Sequence, residues 1–160
     1  MAFNDKLAHL LDEARIVTLT TYSADGLPHV TAVWFLYEDG VIYITTNQEA
    51  SKARNLRKDP RMAVCVESRE DGKESGMSAC GSAELLTGEA AAPLASRINA
   101  KYLTPAALEH PVIGPAFQGM SDVVIKLVPE RWISWDMEAL GAELFGEDVD
   151  ESLYFKPTLK

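Results

Sequence analysis

The hydrophobic pattern changes period several times along the chain. Leu7, Leu10 and Leu11 fall on one helical face, Ala14 continues it, and Asn4 or Asp5 stands where a cap belongs. This predicts a short N-terminal helix. The next run, Ala14 to Tyr22, is rich in β-branched residues and ends at the turn signal SADG, Ser23 to Gly26. Leu27 to Tyr37 then reads as a second strand, EDG as a tight turn, and Val41 to Thr46 as a third strand, so the chain opens with an antiparallel meander. Ala50, Ala53 and Leu56 return to helical spacing, and Asp59-Pro60 stops that helix early. Met62 to Ser68 is a fourth strand. Arg69 to Gly76 is a polar turn, and Met77 to Leu86 is a fifth strand, with Gly81 inside it where a bulge or a close backbone approach fits. Glu89 to Tyr102 is helical, Thr104 to Gly119 is helical in part, and Ser121 to Asp136 holds a sixth strand, broken or bulged near Pro129.

Six strands with helices between and outside them predict a mainly β, α+β architecture: a small antiparallel barrel with peripheral helices. A βαβ nucleotide fold fits poorly, because neither GxGxxG nor GxxxxGK[ST] occurs. At 160 residues one domain is expected. The tail from Met137 to Lys160 is acidic at first and more apolar at its end.

Composition narrows the function classes. No apolar run approaches the roughly 18 residues of a membrane span, and the charged N-terminus lacks the parts of a secretory signal; a cytoplasmic protein is expected. Cys65 and Cys80 are expected as buried free thiols. His9, His29 and His110 are scattered, so no metal site is expected. The formal net charge of −9 argues against nucleic acid as a partner. Against that charge, the segment from Thr45 to Arg61 gathers Lys52, Arg54, Arg57, Lys58 and Arg61, five of the fifteen Lys and Arg.

That segment runs from a strand end into a helix start. The first turn of a helix has free N–H groups and a partial positive charge. With the Ser51 hydroxyl, the Lys52 ammonium and the hydroxyls of Thr45 and Thr46, it makes an anion site of phosphate size, to which Asn55 could add an amide. The rival reading is an Arg-rich solvated helix surface, and Arg54, Arg57 and Lys58 cannot all point at one ligand. The preceding run, Val30 to Phe35, alternates small and large residues, with Thr31 its one polar side chain. It could lie along a flat heteroaromatic ligand, with Trp34 either lining such a slot or buried in the core.

These residues carry a resemblance. Asp25-Gly26, Pro28, Val30, Ala32 to Phe35, Tyr43, Thr45-Thr46, Ser51-Lys52, Asn55-Leu56 and Asp59-Pro60-Arg61 stand in the order and spacing of a known pattern. The chain from about residue 5 to 136 resembles the pyridoxamine 5′-phosphate oxidase-like split β-barrel proteins, a superfamily that includes flavin and deazaflavin oxidoreductases. The resemblance implies a homodimer of six-stranded split barrels, with FMN or the deazaflavin F420 in a groove at the dimer interface. By position, Thr31, Ala32, Val33 and Trp34 would run along the ring and ribityl chain. Thr45, Thr46, Ser51 and Lys52 would hold the phosphate, with Asn55 close by. Trp132 and Trp135 would sit near the interface, over the partner's cofactor. Residues 1–136 would form the flavin-binding domain, and 137–160 an extension packing on it or on the dimer through Leu153 to Phe155.

The departures shape the expected activity. Where true pyridoxamine phosphate oxidases carry an Arg and a Lys in the second strand, this chain has Thr31 and Leu36. Their helical Arg-Lys pair is Ser51-Lys52 here, and their C-terminal R-x-H-x-R motif is absent. Vitamin B6 oxidation is therefore not expected. The expected activity is hydride transfer between FMN and a small organic substrate, with no side chain standing out as a general acid or base. FMN is favoured over F420, whose oligoglutamate tail suits a basic groove. The alternatives are an F420-dependent reductase, a non-catalytic flavin or haem carrier or sensor, and a structural dimer whose basic cluster is only surface.

Overall fold

A computed structural model describes residues 3–69 and 73–146. Strands β1 (Val17–Tyr22) and β2 (Pro28–Val33) pair antiparallel, with Leu19 opposite Thr31, and the turn between them closes on Gly26 at φ 82°. Strands β3 (Leu36–Glu38) and β4 (Val41–Thr46) form a second hairpin. Its two loop residues, Asp39 and Gly40, both have positive φ, as the twist of a two-residue hairpin demands.

The expected second strand is thus two strands. β2 pairs with β1 and β3 with β4, and these pairs lie at opposite ends of one strand path, β2-β1-β5-β6-β7-β4-β3. The chain crosses between them at Trp34 and Phe35. The expected sixth strand divides likewise into β7 (Val123–Leu127) and β8 (Arg131–Asp136), on either side of Pro129, which cannot donate to a ladder. Among the described residues the count is therefore eight, where six were expected. The path is open, since β2 and β3 end it without pairing to each other.

The long β6 (Ser75–Thr87) joins the two halves. Residues 75–82 pair with β5 (Arg61–Ser68), and Ala83 to Thr87 pair with β7. β8 adds to the first half of β6. Gly81 sits at the changeover, where a Cβ would lie 3.1 Å from the Val128 carbonyl, so the close backbone approach expected there is present.

Inward residues of the strands bury Leu19, Ile42, Ile44, Val64, Met77, Ile125 and Leu127 around Phe35, which is 0% exposed. The N-terminal stripe of Leu7, Leu10 and Leu11 closes one side. It lies on a 3-10 turn, Asp5–Leu7, capped by Asn4, followed by α1 (His9–Asp12); Ala14 falls beyond the helix and is exposed. Cys65 and Cys80 are half-buried rather than buried, because they occupy the face of β5 and β6 opposite the core. Helices α2 (Ser51–Leu56), α3 (Ala92–Tyr102), α4 (Pro105–Glu109) and α5 (Ile113–Gly119) lie between the strands in sequence, and α6 (Met137–Phe145) follows β8. None of the described helices is long and apolar enough to cross a membrane. The expected packing of Leu153 to Phe155 lies outside the described residues.

Candidate functional site

The end of β2, the end of β4, the start of α2 and helices α3 and α5 surround a cleft of about 300 Å³. Six residues singled out in the sequence meet there: Ala32, Val33, Trp34, Thr45, Thr46 and Lys52. Successive strand residues face opposite ways, so Thr46 is buried with Ile42 and Ile44 while Thr45 is half-buried. Both border the cleft, which lies across the end of β4. Neither hydroxyl has a hydrogen-bond partner among the described residues.

Local contacts decide which cation of the basic segment faces the cleft. Arg54 donates to the Glu49 carbonyl at 2.6 Å and to Ser51 Oγ at 3.3 Å. Arg57 donates to the Gln48 carbonyl at 2.8 Å. Arg61 pairs with Asp59 and lies over the Tyr22 ring. Lys58 is exposed. Arg54 and Arg57 brace the loop ahead of α2, which Asp122 also holds by accepting from the Gln48 N–H at 3.0 Å. Lys52 is different. It is half-buried, lines the cleft and has no carboxylate or hydrogen-bond partner among the described residues. Burial pushes its pKa down, because the charged ammonium has lost water without gaining a counter-charge. The six-residue α2 has only a short backbone dipole to offer, so Lys52 is the main positive charge here.

The other expected residues lie outside this lining. Ser51 is exposed and engaged by Arg54. Asn55 Nδ2 donates to Thr21 Oγ1 at 3.1 Å, tying α2 to β1. Thr31 is half-buried opposite Leu19. Trp132 packs edge-on against Phe3 and Tyr37 at the core margin, and Trp135 lies over Gly76.

Trp34 is a wall of the cleft held by aromatic stacking. Its ring stacks on Tyr102 at 4.8 Å and on Phe117 at 5.3 Å, each pair worth about 0.5–1.5 kcal/mol beyond its buried area. Tyr102 anchors this stack: its hydroxyl donates to the Arg15 carbonyl at 2.6 Å and accepts from the Phe35 N–H at 3.2 Å. Burial raises its phenol pKa.

Several cleft residues carried no signal in the local pattern, among them Ile16, Phe117, Met120 and Ser121. Asn99 did carry one. It stands on the face of α3 that holds Ala95, Ile98 and Tyr102, where a polar residue interrupts an apolar stripe. It is 3% exposed, and its Oδ1 has no hydrogen-bond partner among the described residues.

A family model described as pyridoxamine 5′-phosphate oxidase matches residues 3–136. A conserved hypothetical protein of Mycobacterium tuberculosis shares 29% identity over 88% of this chain and 89% of its own, with a TM-score of 0.71. An F420 reductase superposes with a TM-score of 0.65 at 22% identity, over 82% of this chain and 98% of its own. HupZ of Group A Streptococcus superposes at 0.61 with 16% identity, over 83% and 94%. The last two share the fold.

Proposed function

We propose that this chain, which belongs to the pyridoxamine 5′-phosphate oxidase family, binds FMN in the cleft as a homodimer and exchanges hydride with a small organic substrate. The observation that carries the reading is Lys52, a desolvated ammonium without a counter-ion, beside the free hydroxyls of Thr45 and Thr46. A phosphate monoester supplies the missing charge and the acceptors these donors lack. The residues present therefore fit the group.

Hydride exchange is the chemistry that a flavin supplies when bound. The chain's part is to bind, orient and shield. Lys52, Thr45 and Thr46 would fix the phosphate end. β2 ends the strand path and pairs on one side only, so its outward backbone groups would bond the edge of a flat ring, the Ala32 carbonyl already accepting a long bond of 3.5 Å from the Thr31 hydroxyl. Trp34, fixed between helices by its stacking, would limit how deep the ring lies. No Asp, Glu, His, Cys or Tyr lines the cleft among the described residues. Protons would come from substrate or water.

A second subunit completes the site in this reading. A cleft of about 300 Å³ is at the lower end for a small-molecule site, and Ile16 at its rim is 55% exposed. Ile16 continues into the outer face of β1, β5 and β6, where small residues, Thr18, Ala63, Cys65 and Ser78, stand in register with no described helix over them. A second copy laid on that face would deepen the cleft. Trp135 lies toward the far edge of the same face, where it could reach the partner's cofactor.

The fold shared with an F420 reductase favours a second reading, the deazaflavin. The engaged arginines weigh against it. With Arg54, Arg57 and Arg61 bound to the chain itself, one ammonium faces the cleft, enough for a single phosphate rather than a polyanionic tail. Haem fits less well, since Met120 alone among the lining residues is of a type that ligates haem iron. Thr31 and Leu36 in place of the oxidase's Arg and Lys point away from vitamin B6 as substrate.

The test is direct. The purified protein's visible spectrum, the mass of any released molecule, and separate titrations with FMN and F420 identify the cofactor. Sedimentation gives the subunit number. FMN bound at one per subunit in a dimer is expected; binding of neither cofactor refutes the reading.

A further inference from the structure

Lys52 reaches the cleft from a helix with little to hold it. The six residues of α2 bury two side chains, Ala53 and Leu56, against the core. Apolar contacts are non-directional, so these two tolerate a small rotation of the helix about its axis. Such a rotation swings a long side chain away from its target. Arg54 and Arg57 bond the Glu49 and Gln48 carbonyls. They tie α2 to the loop ahead of it, its neighbour in sequence, and not to the sheet.

Among the described residues one hydrogen bond joins α2 to the sheet: Asn55 Nδ2 donates to Thr21 Oγ1 at 3.1 Å. Thr21 is 0% exposed and follows Val17 and Leu19 in the inward row of β1. A valine there would keep the shape without burying a hydroxyl, so packing alone does not call for threonine. Asn55 stands three residues after Lys52, one turn along the same side of the helix. A hydrogen bond is directional in a way that apolar contact is not. Holding Asn55 against β1 therefore holds the direction in which Lys52 leaves α2.

We infer that Thr21 and Asn55 are positioning residues for the phosphate site: their hydrogen bond sets the rotation of α2 and so aims the Lys52 ammonium at Thr45 and Thr46. This role rests on the cleft holding a phosphate, and for Asn55 it takes the place of direct contact with that phosphate. Neither residue lines the cleft; both act through Lys52.

The experiment is a set of FMN and riboflavin titrations on the full chain, with Thr21→Val and Asn55→Ala each made in the wild-type and Lys52→Met backgrounds. Thr21→Val removes the hydroxyl at constant shape. Asn55→Ala removes the amide from a half-buried helical position where alanine favours the helix, so the two variants break one bond by different routes. Each should weaken FMN binding roughly three- to tenfold, part of what losing the ammonium itself costs. Riboflavin, which lacks the phosphate, should bind both as it binds wild type. In the Lys52→Met background neither substitution should weaken FMN by more than about twofold. Thr21→Ser, which keeps the hydroxyl, should bind FMN like wild type. Undiminished FMN affinity in either Thr21→Val or Asn55→Ala overturns the inference. So does an equal loss for riboflavin, a loss that persists without Lys52, or a loss in Thr21→Ser as large as in Thr21→Val. In each of these cases FMN binding by the wild type leaves the cleft reading standing. A wild type that binds no FMN sinks the cleft reading and this role with it.

Discussion

Lys52→Met separates a phosphate anchor from a surface charge. Methionine keeps most of the aliphatic stem, so packing changes little, while the ammonium is removed. A charge-assisted hydrogen bond to phosphate is worth about 1.5–3 kcal/mol, which predicts FMN binding weakened roughly 10- to 150-fold. The half-exposed setting of Lys52 places the value toward the lower end, because solvent screens part of the interaction. Riboflavin, which has the ring and ribityl chain without the phosphate, should bind wild type and variant equally. Stability should move the other way. The folded-state pKa of Lys52 is lowered, so the folded chain without ligand bears a penalty for holding the charge. That penalty is full below the lowered pKa and is relieved as pH rises through it toward the ordinary lysine value. The unliganded variant should therefore be at least as stable as wild type at neutral pH. FMN affinity of the wild type should fall as pH rises and Lys52 loses its proton. Flavin fluorescence titrations and denaturant midpoints test all of this. An unchanged FMN affinity, or an equal loss for riboflavin, would refute the assignment.

Other outcomes follow from particular contacts. Tyr102→Phe removes the hydroxyl that serves Phe35 N–H and the Arg15 carbonyl and should cost about 1–3 kcal/mol in denaturant unfolding; a wild-type midpoint would show that these groups find other partners. Because burial raises the Tyr102 pKa, its contribution to stability is full below the ordinary tyrosine value and is lost as pH climbs through the raised one. The Phe variant should accordingly lose less stability in alkali, and parallel pH profiles would contradict this. Gly76→Ala would place a Cβ 2.2 Å from Trp135 and 2.7 Å from the Val66 carbonyl. It should destabilise by about 1–3 kcal/mol and shift the Trp135 fluorescence, and a neutral result would mean that Trp135 moves aside freely. Phe35→Ala empties the centre of the core and should cost about 3–5 kcal/mol in the same assay; a loss below 1 kcal/mol would mean that the core collapses onto the space.

Much of the local structure was legible in the sequence. Val41 to Thr46 alternates and is a strand to the residue; Ala50, Ala53 and Leu56 mark the short helix, and Asp59-Pro60 ends it. Periodicity reports which way a side chain points relative to its neighbours, and that information is local. The strand end, the helix start and the cation-rich segment were therefore recognisable together as a candidate site.

Tertiary structure decided what depends on distant partners. Leu27 to Tyr37 reads as one β-run, yet β1 takes its first half and β4 its second, so the chain crosses at Trp34 and Phe35. Five cations look equivalent along the segment. Carbonyls of Gln48 and Glu49 and the carboxylate of Asp59 occupy three of them, and Lys52 is left facing the cleft. Asn99, Phe117 and Ser121 join the site only because α3 and α5 pack over the ends of β2 and β4. Those contacts close long loops, and their energy comes from burial and pairing between segments that carry no record of each other in the local pattern.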